Sequence, residues 1–232
     1  MIVKSLVACL VLAVLLVGCR SAPAPLPAAA PAQSAEVPGI APTTVPRPVA
    51  APAMATPVAQ RLDWSEFSFD EVITGGDQTI RSRWLVKNGR VRIETDATGK
   101  KVVSIGDPSS NTGYVWTEGE SRAMKMSYEQ FQEEVGSVPD PQELSRDAMQ
   151  GEAAGADNVD GQACDVYEIV GSAAALRIWV SRSNGFPVRS EITSAEGTVT
   201  TEFQNVRRGN VPESAFELPP GMQVVDVPPR TP

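Results

Sequence analysis

Every aromatic side chain in this 232-residue chain lies at or beyond Trp64: four tryptophans, three tyrosines and six phenylalanines. Aromatic rings dominate the area a core can bury, so a packed core can form only from about residue 62 onward. The preceding segment points the same way. Arg20 to Arg61 holds ten prolines and thirteen alanines, and its only charges are Arg20, Glu36, Arg47 and Arg61. Such a segment cannot bury enough surface to offset chain entropy, and its prolines bias it toward extended polyproline II. It reads as a disordered tether with an upper reach of about 130 Å, at ~3.1 Å per residue. The remaining length fits one globular domain at 62–228, with a tail at 229–232.

Within that domain, period-two alternation is broken by turn residues, the mark of strands with one buried face. Phe67 and Phe69 sit two apart in a first strand over 64–72. Gly75-Gly76 turns it into 79–87, where Ile80, Ser82, Trp84 and Val86 share a face. Asn88-Gly89 is a two-residue hairpin signal, because both central positions need positive φ. The return strand, 90–96, sets Val91, Ile93 and Thr95 against Arg92 and Glu94. Thr98-Gly99 turns again, and short strands follow at 101–105, 113–117 and 122–126, the last with Met124 and Met126 on one face. A second set starts from Asp160-Gly161, with strands at 163–170, 176–181, 187–193 and 198–206; 211–216 then leads to Leu218-Pro219-Pro220-Gly221, and a last short strand falls at 223–227. The fold class is mainly β with short α (α+β): one curled antiparallel sheet of about ten or eleven strands, since broad flat sheets are unfavourable.

Two helices interrupt the strands. Ser127 and Gln130 make a capping-box pattern, with Tyr128, Phe131 and Val135 on one stripe and Gly136 at the end. Asp140 caps the second, Pro141 suits its first position and Glu143 completes the box. Leu144 and Ala148, joined by Met149, form its apolar stripe. Both helices are expected on one face of the sheet.

The amino end carries a different signal. Lys4 is the only charge before Arg20, and Leu6 to Val17 is unbroken apolar sequence. A single positive charge, a short apolar run and a small residue before a cut describe a secretory signal. The run is too short to span a bilayer, which takes about 20 apolar residues. Leu16-Val17-Gly18-Cys19 resembles the lipobox of bacterial lipoproteins. That resemblance implies a signal peptide at 1–18, cleavage before Cys19, a diacylglycerol thioether on its sulfur and an N-acyl chain on its new amino end. The chain is then exported and lipid-anchored at the cell envelope. In a proteobacterium, where aspartate after the cysteine goes with inner-membrane retention, Arg20 favours the outer membrane, facing the periplasm.

Composition excludes several chemistries. There are no histidines, which removes Ser-His-Asp and Cys-His catalysis, His-ligated zinc and His-based pH switching. Cys9 leaves with the leader and Cys19 is lipidated, so Cys164 has no partner for an intramolecular disulfide; it reads as a small buried hydrophobe. The formal net charge is -8, which argues against nucleic acid, whose phosphates demand a basic patch. Arg207-Arg208 reads as a solvated strand end. The catalytic signatures G-x-S-x-G, S-x-x-K, C-x-x-C, H-E-x-x-H and the P-loop are absent. Asp157, Asn158, Asp160 and Gly161 hint at a calcium loop but lack its spacing and terminal Glu, and a hairpin turn accounts for them. No metal, cofactor or catalytic residue is expected beyond the covalent lipid at Cys19, and the chain reads as a non-enzyme.

Several runs together resemble the LolA/LolB-like outer-membrane lipoprotein-sorting superfamily. They are Asp160-Gly161…Val166-Tyr167-Glu168-Ile169, Arg177-Ile178-Trp179-Val180, Gly185-Phe186-Pro187-Val188-Arg189, and Phe203…Val206…Val211-Pro212-Glu213-Ser214-Ala215-Phe216-Glu217-Leu218-Pro219. The pattern covers most of 62–227. The resemblance implies an unclosed half-barrel, its concave apolar face lidded by helices, holding acyl chains of lipids or lipoproteins. The superfamily's soluble carrier has no anchor, and the acceptor's projecting apolar loop has no clear counterpart here. The superfamily also includes sensor domains that bind partner proteins.

The candidate apolar cavity is drawn from strand faces and helical stripes: Trp84, Val86, Val91, Ile93, Met124, Met126, Phe131, Leu144, Ile178 and Val180. Methionines suit variable chains because they adapt, and apolar walls with few polar groups are what a lipid site requires. The alternative for any one of them is plain core packing. The expected function is a membrane-anchored carrier or acceptor that binds an acyl chain, lipid or lipoprotein. The alternative is an envelope sensor or interaction module that binds a partner protein with the same fold.

Overall fold

The computed structural model describes residues 64–97, 99–136 and 141–228. The expectations for the leader, Cys19, the tether, Thr98, Asp140 and the tail lie outside those residues. The elements run β1 (Glu66–Gly75), β2 (Gln78–Lys87), β3 (Arg90–Ala97), β4 (Lys100–Asp107), β5 (Thr112–Thr117) and β6 (Arg122–Ser127). Helices α1 (Tyr128–Val135) and α2 (Pro141–Ala148) follow. Strands β7 (Glu152–Val159), β8 (Gln162–Val170), β9 (Ala174–Ser181), β10 (Pro187–Ser194) and β11 (Gly197–Arg208) complete a second meander. A short 3-10 turn at Glu213–Phe216 leads to β12 (Gln223–Asp226).

All twelve strands form one sheet in the order β12-β6-β5-β4-β3-β2-β1-β11-β10-β9-β8-β7. Two meanders, β1–β6 and β7–β11, are sewn together where β1 pairs with β11. β12 and β7 are its ends and do not meet, so the sheet is unclosed. The hairpins form where turn chemistry asks for them. Asn88 (φ 51°) and Gly89 (φ 81°) make a positive-φ pair, as do Asp160 (φ 49°) and Gly161 (φ 81°). The first hairpin turns at Gly76-Asp77, one residue later than read from the sequence. In β11 the register slips, so that Asn205 (φ 53°) and Val206 both oppose Phe69. Such a bulge bends the strand and increases its twist.

Two strand expectations need correction. Among the described residues the count is twelve, because β7 (EAAGADNV) carries no apolar alternation to announce it; it is an edge strand whose side chains add the Asp157–Trp179 hydrogen bond and the packing of Val159 on the Cys164 cluster. Beyond β11 the chain leaves the sheet. Gly209 (φ 72°) and Asn210 (φ 62°) take two successive left-handed conformations, which turn the chain off the ladder. It then crosses the sheet, where Lys87 Nζ donates to the Val211 carbonyl at 2.9 Å and Arg92 Nη1 to the Ala215 carbonyl at 3.1 Å. Arg90 and Lys87 both pair with Glu213. Finally, β12 pairs parallel with β6, so the sheet is not purely antiparallel. The chain reaches that edge from across the sheet, not through a hairpin, so its direction is not forced to reverse.

Cross-strand partners share a face, so the registers sort the side chains. Phe67 and Phe69 stand with Val86 and Trp84, then with Val91 and Ile93, and through Gly106, Gly113 and Met126 to the β6 end. Both helices lie on this inner face: α1 packs on β4, β5 and β6, and α2 on β8, β9 and β10. The crossing segment covers the outer face instead, setting Phe216, Leu218 and Met222 against Val103, Ile105, Trp116 and Ala123. Ser127 caps α1, its Oγ accepting from Gln130 N at 3.2 Å. The Gln130 side chain donates to Glu134 instead, so the box is half made.

Candidate functional site

The inner face has three zones. The first is closed. Trp84, Val86, Val91, Ile93, Met126 and Phe131 join Phe67, Phe69 and Phe186 in one buried cluster. Phe69 is its hub, with ring centroids 6.1 Å from Phe67, 5.7 Å from Trp84, 5.8 Å from Phe186 and 5.7 Å from Phe203. Six of the ten residues read from the sequence therefore meet here. Ile178 and Val180 meet elsewhere, with Ala148 of α2 and Tyr167. Leu144 is half-buried on α2. Met124 does share the inner face, opposite Val115, but it is 49% exposed, because only β12 lies beyond it.

The second zone is a line of polar side chains. Thr95, Ser82 and Glu71 are directly opposite one another on β3, β2 and β1. Thr201 and Ser190 face each other on β11 and β10, and Thr201 is one diagonal step from Glu71. Ser82 Oγ and Thr95 Oγ1 are 3.0 Å apart. Trp84 Nε1 donates to Glu71 Oε2 at 3.0 Å. Burial raises the Glu71 carboxyl above its ordinary value, the Trp84 N–H opposing this more weakly. No other titratable side chain stands on this face beside it: its partners there are Ser82 and Phe203.

A raised carboxyl has a definite linkage sign. The folded state then holds the proton more tightly than the unfolded chain. Stability falls as pH rises from the unfolded value near 4.5 through the folded one, and levels above it. Glu71→Gln keeps a neutral side chain at every pH. We expect wild-type stability, measured by urea midpoints from pH 4 to 8, to fall relative to this variant as pH rises. Parallel curves would contradict a proton-retaining Glu71.

The third zone is aliphatic and half-open. Ile80 faces Ile73, Gly75 faces Val199, and Val199, Ile192, Leu176 and Ile169 then follow in register across β11, β10, β9 and β8. Ile73, Ile80, Val199, Ile192, Leu176 and Ile169 are all half-buried. Strands β3, β2, β1 and β11 lie between the two regions on which the helices pack.

The outer face is mostly charged ladders. Two open clefts of about 400 Å³ each lie there, one beside Trp116 and Pro219–Met222, the other among Asp70, Arg81, Arg83 and Lys101. Cys164 is fully buried with Val166, Trp179 and Val188, and burial pushes its thiol up. Asp157 accepts from Trp179 Nε1 at 3.0 Å, which holds its carboxyl below the usual range. Among the described residues no group of three or more Cys, Asp or Glu is placed to hold a metal.

Sequence reading missed Glu71, Thr201 and Ser190. One signal was there: Glu71 follows Phe67 and Phe69 at the same period of two, which sets an acid in phase with the core.

No family profile matches the chain, and no curated protein sequence does. Solved structures that its fold resembles include an uncharacterised conserved protein from Thermus thermophilus, at 10% identity over 70% of this chain and 91% of that one, with a TM-score of 0.49. Another is MucB in the Pseudomonas aeruginosa MucA/MucB complex, at 16% identity over 70% of this chain and 58% of that one, TM-score 0.41. A third is a LolA superfamily protein from Nitrosomonas europaea, at 11% identity over 66% of this chain and 90% of that one, TM-score 0.32. At such identities and TM-scores these likenesses carry no statement about family or role.

Proposed function

We propose that this chain is an exported, lipid-anchored binding protein whose inner sheet face holds an acyl chain of a lipid or lipoprotein. It would act by burial and release, with no bond chemistry. One observation carries the reading: the half-open strip from Ile80 to Ile169. It is aliphatic, linear and continuous over six strands. Five strand spacings of ~4.8 Å give about 24 Å, more than the roughly 15 Å of one bilayer leaflet's hydrocarbon. Apolar side chains left half-wet in a row are stabilised by an apolar ligand that removes them from water. The closed aromatic cluster around Phe69, with Trp84, Val86, Val91, Ile93, Met126 and Phe131, would wall one side. Ile178 and Val180, under α2 and Leu144, would continue the same wall across β9. Cys19, carrying diacylglycerol and an N-acyl chain, would hold the protein at the envelope membrane, with the proline-rich segment as its leash.

The test is a photo-crosslinker at Ile192 in the full chain, expressed in a bacterial envelope. A crosslinked acyl lipid, identified by mass spectrometry, is the expected result. Crosslinking to water or protein alone, with no lipid extractable from the purified chain, would overturn the reading.

A second reading, an interaction module for an envelope protein, is favoured by a different feature. Met124, Val224 and Val225 are 49%, 45% and 49% exposed together at the β12 edge. Edge strands offer an open ladder to a partner's strand. A crosslinker at Val225 capturing one reproducible protein, with no lipid captured at Ile192, would select it.

A further inference from the structure

Five polar side chains cross the inner face where an aliphatic row would pack as well. Ser82 and Thr95 satisfy each other. Glu71 has one carboxyl oxygen engaged, by Trp84 Nε1. Thr201 is the anomaly. It is 3% exposed, and its Oγ1 is buried with no hydrogen-bond partner. A buried hydroxyl left unmade is destabilising, whereas valine has the same shape and no such penalty. A threonine held this way points to a group that comes from outside the chain.

The geometry points to a polar subsite at Glu71 and Thr201 that takes the carbonyl end of an acyl ligand, an ester or a carboxylic acid, while its chain lies along the aliphatic strip. The inference rests on the acyl-binding reading above. The placement fits, because Thr201 is paired with Ile73 and is two residues from Val199, both members of the strip. The chemistry fits as well. An ester carbonyl accepts hydrogen bonds and donates none. Thr201 supplies one O–H. Glu71, whose carboxyl burial pushes toward the protonated form, presents beside it the oxygen that Trp84 does not engage. A free carboxylic acid could instead pair reciprocally with the Glu71 carboxyl. A phosphate head finds no counter-ion among the described residues beside Glu71 and Thr201. The other ionisable side chain that the registers put on this face of β1 and β11 is Arg208, opposite Phe67 and against the Trp64 ring at the far end.

The test uses the purified full chain in a steroid-type detergent that has no acyl chain. Bound cis-parinaric acid is displaced by methyl palmitate, palmitic acid or hexadecane. We expect methyl palmitate to displace more effectively than hexadecane. Thr201→Val should weaken methyl palmitate by about three- to tenfold, the size of one hydrogen bond, and leave hexadecane unchanged. Thr201→Ser, which keeps the hydroxyl, should restore the ester preference. Thr201→Val should melt at or above the wild-type temperature, which separates lost recognition from lost folding. If only palmitic acid shows the effect, the head is a free acid; if the ester shows it too, an acyl ester is accepted. Displacement by methyl palmitate and by palmitic acid that are both unchanged relative to hexadecane in Thr201→Val overturns the subsite and leaves chain binding intact. Failure of all three ligands to displace the probe from wild type overturns the acyl reading, and the subsite with it.

Discussion

Phe131→Ala is expected to cost about 3–5 kcal/mol, the range for deleting a fully buried phenylalanine. Measured against a typical domain stability of about 5–15 kcal/mol, that is a large share. The reason is local. Helix α1 has eight residues, too few to be stable alone in water. Its Phe131 ring is wholly buried and lies across Gly106 of β4 and Gly113 of β5, which are direct cross-strand partners. A Cβ built on Gly106 would come within 2.6 Å of Phe131 Cε1, and one on Gly113 within 2.5 Å of Phe131 Cβ. The two glycines form the slot, and the ring fills it.

This contact geometry predicts an asymmetry between the glycines. Gly106→Ala alone should cost about 1–3 kcal/mol through overpacking. The three nearest atoms it would crowd all belong to the Phe131 ring. In the Phe131→Ala background the crowding is gone, and the same change should be neutral or stabilising. Gly113→Ala should not be rescued, because alanine at 131 keeps the Cβ that lies 2.5 Å away. Denaturant midpoints of the single and double variants, compared with wild type, decide this. Costs of Gly106→Ala and Phe131→Ala that simply add within about 0.5 kcal/mol would show that the ring does not occupy the slot.

These glycines also show where sequence reading ends. Asn88-Gly89 and Asp160-Gly161 were legible because positive φ is a local demand that few residues meet. The capping of α1 by Ser127 was legible for the same reason. Gly106 and Gly113 have no such demand. A glycine inside a strand reads only as weak strand, and its purpose depends on a helix twenty-odd residues away. The polar line was half-legible. Glu71 is in phase with Phe67 and Phe69, but Thr201 becomes odd only when burial and the missing partner are seen together. Among the candidate cavity residues, alternation placed Met124 on the right face. It could not show that Met124 would sit near the sheet's edge, since that depends on β12 arriving from the far side. β7 was invisible for the opposite reason: its sequence EAAGADNV shows no apolar alternation, and its pairing follows from the open backbone edge of β8.

Cys19→Ser is expected to move the protein entirely from the membrane to the soluble fraction. On the lipid proposal the acyl chains are the attachment, and the physical case rests on what they contribute. A single acyl chain gives only marginal, reversible binding, and stable anchoring takes two signals. A basic patch is the usual second signal, worth about 1 kcal/mol per Lys or Arg near an anionic surface. This chain has a formal net charge of -8. Among the described residues no helix is long and apolar enough to cross a membrane. On the lipid proposal, diacylglycerol and the N-acyl chain together carry the whole attachment, so their loss should be all-or-none, with no graded salt dependence left behind. Fractionation of the host envelope at low and high salt measures it, with far-UV circular dichroism to confirm that the sheet is retained. Membrane retention of the variant would show that another anchor exists, or that the leader stays uncut and embedded, and labelling with radioactive palmitate would tell these apart. The same variant bears on function. If the strip from Ile80 to Ile169 takes an acyl chain from the membrane, a soluble form must find it by diffusion, whereas on the lipid proposal an anchored form is held near it. Ligand occupancy in the host should therefore fall with Cys19→Ser even though affinity measured in solution does not.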